Sequence, residues 1–360
     1  MIFSRMKLLF APWIFLGIAG CFWIFPAVCV QGFGDGLQLC AQSLLPALFP
    51  FFVISTLLLE SPAAFWLAMP LRPLCRLLGL RSSKAPLLLL LGWLGGYTAL
   101  AAGLAQCCQQ QELSPKEAGR LLAAGTVCSP GFTAAVGGLM LGRPVLGVML
   151  YACHLAAGLV CGLALRWLQP QNESSFCDSA AQPAPTPQGL AGAIGSAVQN
   201  SLQVCGSVVF FRMVLALGDQ ILFTPFSRAV LAGLLEISSG CRSWAALAGT
   251  AALRGCCGSM SILSLSVWCQ LKALSHGRYS LGAMALTRPL QLVLSQTFLC
   301  IAVHIFPQDI SAAAFVNRQF IVYRRLPGDR ALLLFLFCCL VLDRLEKASL
   351  YKKSRKFYNK

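Results

Sequence analysis

Apolar runs long enough to form membrane-crossing helices recur along this chain, and they constrain it more than any motif does. Ten can be drawn: Leu8–Val30, Leu37–Leu59, Ala85–Ala105, one ending at Leu141, Pro144–Trp167, Leu202–Leu217, Ala229–Ala252, Gly255–Leu271, Leu281–Phe306 and the short Ala331–Leu342. A helix needs about 20 mainly apolar residues to cross hydrocarbon. Lipid offers no partner to a stray backbone N–H or C=O, so the helix is the form such runs take. Composition closes the soluble alternative: 57% of the 360 residues are hydrophobic and 11% charged, where a soluble domain carries about 25% charged residues. The expected architecture is an all-α polytopic membrane protein of about ten hydrophobic segments, with the lipid bilayer as its partner.

Charge suggests how the chain is threaded. The formal net charge is +16, from 28 Lys and Arg against 12 Asp and Glu. These basic residues lie between apolar runs and after the last one, the pattern of membrane topology rather than nucleic-acid binding. Residues 61–84 hold Arg72, Arg76, Arg81 and Lys84 and no acid, which reads as a cytoplasmic loop. The Pro/Ser-rich linker 168–188 holds Glu173 and Asp178 and no Lys or Arg, which reads as external. The apolar stretch after Arg5 and Lys7 exceeds a signal-peptide core of about 7–15 residues, so it reads as an uncleaved first helix. Ten crossings in the cell membrane put the N-terminus and the basic tail in the cytoplasm, yet leave Arg318, Arg324, Arg325 and Arg330 outside. Either the last short segment does not cross, or an interrupted segment is re-entrant.

Several places interrupt the runs. Ser114-Pro115-Lys116-Glu117 has the form of a capping box, with Ser at the cap, Pro at the first helical position and Glu at the third. Gly95-Gly96-Tyr97 interrupts one run, and Cys128-Ser129-Pro130-Gly131 breaks the next. Beyond the linker, Glu236-Ile237-Ser238-Ser239-Gly240 and Gly258-Ser259-Met260-Ser261 interrupt two more, and Asn200-Ser201 opens the half as Ser43 opens the first. The two halves therefore repeat one layout: a helix with Ser near its start, a Gly-broken helix, a Gly/Ser-rich break and a long apolar helix. The divisions are 1–36, an N-terminal transmembrane helix; 37–167, the first repeat; 168–188, the linker; 189–306, the second repeat; and 307–360, a terminal segment with a basic tail. Unwound backbone survives at membrane depth only where protein or an aqueous cavity receives it, and paired breaks of this kind mark the binding region of many transporters. Gly and Pro also simply permit close helix packing.

Ionisable residues at membrane depth are costly, about 2.5–3.5 kcal/mol each on insertion scales. Glu236 is the clearest, inside Leu234-Leu235-Glu236-Ile237. Arg212, inside Phe210-Phe211-Arg212-Met213, could neutralise it as a helix-pinning ion pair, or either residue could meet a polar solute or a coupling ion. Arg288 either snorkels or shares the same cavity, and His154 reads as a helix–helix hydrogen-bonding group. Metal-ligand spacings, cofactor-binding motifs and catalytic motifs such as HExxH or GxSxG do not occur. No cofactor, metal or enzymatic activity is expected. The 18 cysteines lie mostly in apolar runs and read as small packing residues.

Taken together, Leu44-Leu45-Pro46-Ala47-Leu48-Phe49-Pro50-Phe51-Phe52, Gly96-Tyr97, Ser114 to Leu122, Ser129-Pro130 with Gly137 and Gly138, His154, Asn200-Ser201, Gly233-Leu234-Leu235-Glu236 with Gly240, and Gly258 to Ser261 resemble the sporulation integral membrane protein YlbJ family of endospore-forming bacteria, which carries the nucleoside-recognition Gate domain. The resemblance covers most of residues 39–306. It departs at Thr98, where the family has Pro, and at Thr126-Val127, where the family has paired Asn. It implies two Gate-like repeats with interrupted helices and a role in spore formation. The expectation is a transporter or permease of a small polar solute, nucleoside-like or a cell-envelope precursor, lined by Gly95, Gly96, Tyr97, Ser129, Pro130, Asn200, Arg212, Glu236, Gly240, Ser259 and Ser261. The alternative is a non-transporting scaffold for spore-envelope assembly.

Overall fold

The structure is a computed structural model and describes residues 16–61, 64–168, 189–221, 224–247 and 249–307. The start of the N-terminal segment, the linker 169–188 and the terminal segment with its basic tail, 308–360, lie outside the described residues. Every regular element among the described residues is helical. By length and apolarity six helical stretches could cross a membrane: Ala85–Gln109, Pro115–Met140, Pro144–Leu168, Gly189–Gln220, Gly249–Leu274 and Gly282–Ile305. A seventh, Leu16–Ile24 with Pro26–Gln42, is bent by 102°.

That bend corrects the first expected helix. α1 (Leu16–Ile24) ends before α2 (Pro26–Leu39), because Pro26 forces the preceding Phe25 out of helical geometry, at φ −119° and ψ 56°. α2 then runs without a gap through a π turn at Cys40–Leu44 into α3 (Leu45–Glu60), so Leu37 is not a boundary. The π turn lies just ahead of Pro46 and Pro50, which withdraw two N–H donors. The short helices α4 (Ala64–Ala68) and α5 (Arg72–Leu77) follow at one end of the bundle.

α6 (Ala85–Gln109) is long enough to span but does not. A straight helix of its 25 residues would hold its ends about 36 Å apart. Instead Lys84 Nζ, just before it, lies 3.5 Å from Glu112 Oε2, just after it. A Cβ at Gly103 would come within 2.9 Å of the Leu88 side chain. The helix folds back at Gly96, whose φ of 81° and ψ of −177° are open essentially to glycine alone. Gly95-Gly96-Tyr97 is therefore the tip of a helical hairpin.

The next three elements cross and return. α7 (Pro115–Gly125) and α8 (Pro130–Ala135), prolonged by a π turn at Val136–Met140, form one span broken at residues 126–129. The capping box holds by half: Ser114 Oγ accepts from Glu117 N at 3.2 Å. The Glu117 carboxylate instead accepts from Arg81 N and Ser82 N at 2.6 and 2.8 Å, tying α7 to the 72–84 loop. α9 (Pro144–Leu168) returns the chain to that same loop, where Arg166 Nη1 donates to Leu77 O at 2.6 Å. α9 therefore ends at the end of the bundle that holds residues 72–84.

α10 (Gly189–Ile221) is one helix of 33 residues, longer at both ends than the expected run from Leu202 to Leu217. It lies antiparallel to α2, with Gly32 and Gly36 against Met213 and Val209. The run expected from Ala229 to Ala252 is a second hairpin. α11 (Pro225–Leu235) and α12 (Ile237–Ala245) turn back at Glu236, with Phe226 and Trp244 ring centroids 5.4 Å apart. A Cβ on Gly240 would lie 2.4 Å from Gly233 Cα, so only glycines allow the arms this near approach.

α13 (Gly249–Ile262) and α14 (Leu265–Leu274) form the second broken span, and α15 (Gly282–Ile305) the last. The break falls at Leu263-Ser264, with Leu263 at φ 59°. Gly258 to Ser261, expected to be the break, are helical and belong to α13. In each half the order is hairpin, broken span, unbroken span: α6, α7/α8, α9 and α11/α12, α13/α14, α15. The first hairpin enters from the end bearing Arg76, Lys84, Arg166, Lys272 and Arg278. The second enters from the opposite end, with Arg143 and Arg254. Tyr279 Oη, at the basic end, donates to Ala101 O at 3.0 Å, and burial pushes its pKa up. Cys75, in the same region, is pushed up to about 12 by burial and the nearby Glu117 carboxylate.

Candidate functional site: two hairpin tips and two helix breaks

The first tip is stitched to the first break. Tyr97 N donates to Val127 O at 3.0 Å, so one unwound turn supplies the partner that the other lacks. A Cβ on Gly96 would lie 3.0 Å from Ser129 N. Ser129 is the N-cap of α8: its Oγ accepts from Phe132 N at 3.3 Å, and Pro130 takes the position that needs no N–H. Gly95, Gly96, Tyr97, Ser129 and Pro130 thus lie together at the first tip and the first break.

The second tip is built differently. Glu236 is the N-cap of α12: Oε1 accepts from Ser238 N at 2.9 Å, and Oε2 accepts from Ser239 N at 2.7 Å and Ser239 Oγ at 2.6 Å. Its charge faces the positive end of the α12 dipole, which offsets part of the burial cost. The expected Glu236–Arg212 ion pair is replaced by a relay. Arg212 Nη1 donates to Ser239 Oγ at 2.6 Å, and its Nη2 lies 3.9 Å from Asp35 Oδ2 on α2. Arg242 lies in the field of Glu236 and Asp35 as well. The second hairpin reaches the first half where α12 packs against the π turn at Val136–Met140.

A polar cluster that the sequence only partly revealed lies behind the tips. His154 of α9 bonds through Nδ1 to Leu150 O at 2.7 Å and through Nε2 to Cys257 O at 3.2 Å and Ser261 Oγ at 3.0 Å. Ser261 Oγ lies 2.5 Å from Ser295 Oγ. Gln291 Nε2 donates to His154 O at 3.2 Å. Arg288, 5% exposed, does not snorkel. Arg288, Gln291 and Ser295 recur at i, i+3 and i+7 on α15, one helical face, a spacing that the sequence already carried. Ser261 belongs to this cluster. Ser259 packs on Gly233 of the second hairpin, where a Cβ would meet its Oγ at 2.4 Å. Gly240 supports that hairpin. Asn200 is half-buried on α10 and is not drawn into these contacts.

Two buried hydroxyls stand beside the tips and breaks without a hydrogen-bond partner: Thr98 Oγ1, next to the first tip, and Ser264 Oγ, at the second break. Ser264 sits at the cap of α14 at φ −56° and ψ 160°, close to the φ −62° and ψ 152° of Ser129, yet makes no capping bond. No family model, curated protein or solved structure matches this chain.

Proposed function

We propose that this chain is a permease for a small polar solute in the cell membrane, with the solute held between the two hairpin tips. The observation that carries the reading is the pair of hairpins that enter the bundle from opposite ends, each followed by a broken span. Irregular backbone of this kind is a feature of transporter binding sites. The unpartnered hydroxyls of Thr98 and Ser264 are available to a ligand. The α12 N-terminus already holds the Glu236 carboxylate, so an anion there would meet like charge. A neutral solute rich in hydroxyl and amide donors, nucleoside-like in chemistry, suits these groups better. By the excess of Lys and Arg, the end bearing Arg76, Lys84, Lys272 and Arg278 faces the cytoplasm. The resemblance to the YlbJ family adds Gate-like repeats and a role in spore formation.

Uptake of labelled nucleosides and cell-wall precursors into liposomes holding the full chain tests this. Saturable uptake that falls at least tenfold in Ser264→Ala supports the reading. No saturable uptake of either class sinks it.

A scaffold reading draws support from one observation: all the hydrogen bonds of Glu236 go to its own hairpin. It predicts normal spore formation with Glu236→Gln and Gly96→Ala in any chain that still inserts, and loss on removal of residues 344–360.

A further inference from the structure

Arg288 is a buried cation without an acid. Among the described residues no carboxylate oxygen lies within 4.0 Å of it. Its guanidinium is aimed at carbonyls. Nη1 donates to Ser261 O at 3.5 Å, and Nη2 donates to Ala123 O at 3.4 Å and Gln291 Oε1 at 3.3 Å.

The two backbone oxygens have a common origin. Ala123 lies in the last turn of α7, which ends at Gly125, and Ser261 lies in the last turn of α13, which ends at Ile262. Carbonyls there have no partner within their own helix. Each C-terminus carries about half a negative charge, so the two together carry about one. One guanidinium balances them.

A place between half-helix C-termini, rich in carbonyl oxygens, is where broken-helix transporters hold a coupling metal ion. We propose that Arg288 is a resident cation that occupies this place, so that the chain binds no Na+ or K+ between its two broken spans. The site is acceptor-lined and already holds a positive charge, which excludes a second cation by repulsion. For the permease reading, on which this consequence rests, solute movement is not coupled to either ion.

Binding of radioactive Na+ to the purified full chain in detergent, competed with K+, is the direct test. Wild type is expected to show no saturable binding. One displaceable ion per chain would overturn the proposal, whatever uptake experiments give. Absence of uptake without Na+ binding would instead sink only the permease reading.

Arg288→Met vacates the place and is expected to gain Na+ or K+ binding. Its Tm should rise by about 2–4 °C at roughly ten times the ion's Kd, with no rise in choline at equal ionic strength. Arg288→Lys keeps a charge and should gain nothing. An Arg288→Met chain that folds but responds equally to Na+, K+ and choline also overturns the proposal. If that variant does not fold, the wild-type measurement decides alone.

Discussion

The two hairpin tips perform the same turn with different chemistry. At Gly96 the backbone adopts a conformation that side chains resist, and the exposed Tyr97 N–H is met by Val127 O of the neighbouring break. At Glu236 the backbone stays in the ordinary extended region, φ −144° and ψ 121°, and a carboxylate satisfies the two N–H groups that open α12. The first tip thus depends on the absence of a side chain and on a neighbour's backbone. The second depends on a charge and carries its own partner. Unwinding a helix inside a membrane therefore has two solutions, and they fail under different substitutions.

Gly96→Ala should break the first tip most severely. The strained backbone alone costs about 1–3 kcal/mol, and the new Cβ meets Ser129 N at 3.0 Å. Thermal unfolding in detergent should show the largest Tm loss of the set, and a change below 2 °C would contradict the described turn. Glu236→Gln should cost less, about 1–2 kcal/mol, since one oxygen still accepts while the amide nitrogen faces N–H donors. Equal Tm losses for these two variants would erase the contrast between the tips.

Smaller effects sharpen it. Ser129→Ala removes a cap and should cost about 1 kcal/mol. Ser264→Ala removes a hydroxyl that makes no capping bond, and its Tm should stay within about 1 °C of wild type. A loss equal to that of Ser129→Ala would show that Ser264 caps α14 after all. Ser239→Ala, which cuts the relay from Arg212 to Glu236, should fall between Glu236→Gln and Ser264→Ala in the same measurement.

Much of this arrangement could be read from the residues. Apolar length and the Lys and Arg distribution announce helices in lipid, and Gly95-Gly96-Tyr97, Ser129-Pro130 and Glu236 each fall at a real interruption. The fold-back of α6 was hidden because both of its arms are apolar. Periodicity is the same for a kinked span and for a hairpin, and contacts between the arms, such as that of Lys84 with Glu112, separate them. The second broken span misled in the other direction. Gly258, Ser259, Met260 and Ser261 suggest a break, but all four are helical residues of α13. The chain breaks instead at Leu263, whose positive φ nothing in its side chain announces. Pairwise partners such as Asp35 for Arg212 depend on the packing of α2 against α10, which no local pattern encodes.

The opposed entry of the hairpins bears on how a pathway could be laid through the molecule. Each tip is anchored to its own face of the bundle by a pair of short arms, so a straight water-filled bore would need both to withdraw together. A single-channel recording should accordingly stay silent under voltage, and a blocker confined to one compartment could reach only the arms rooted there.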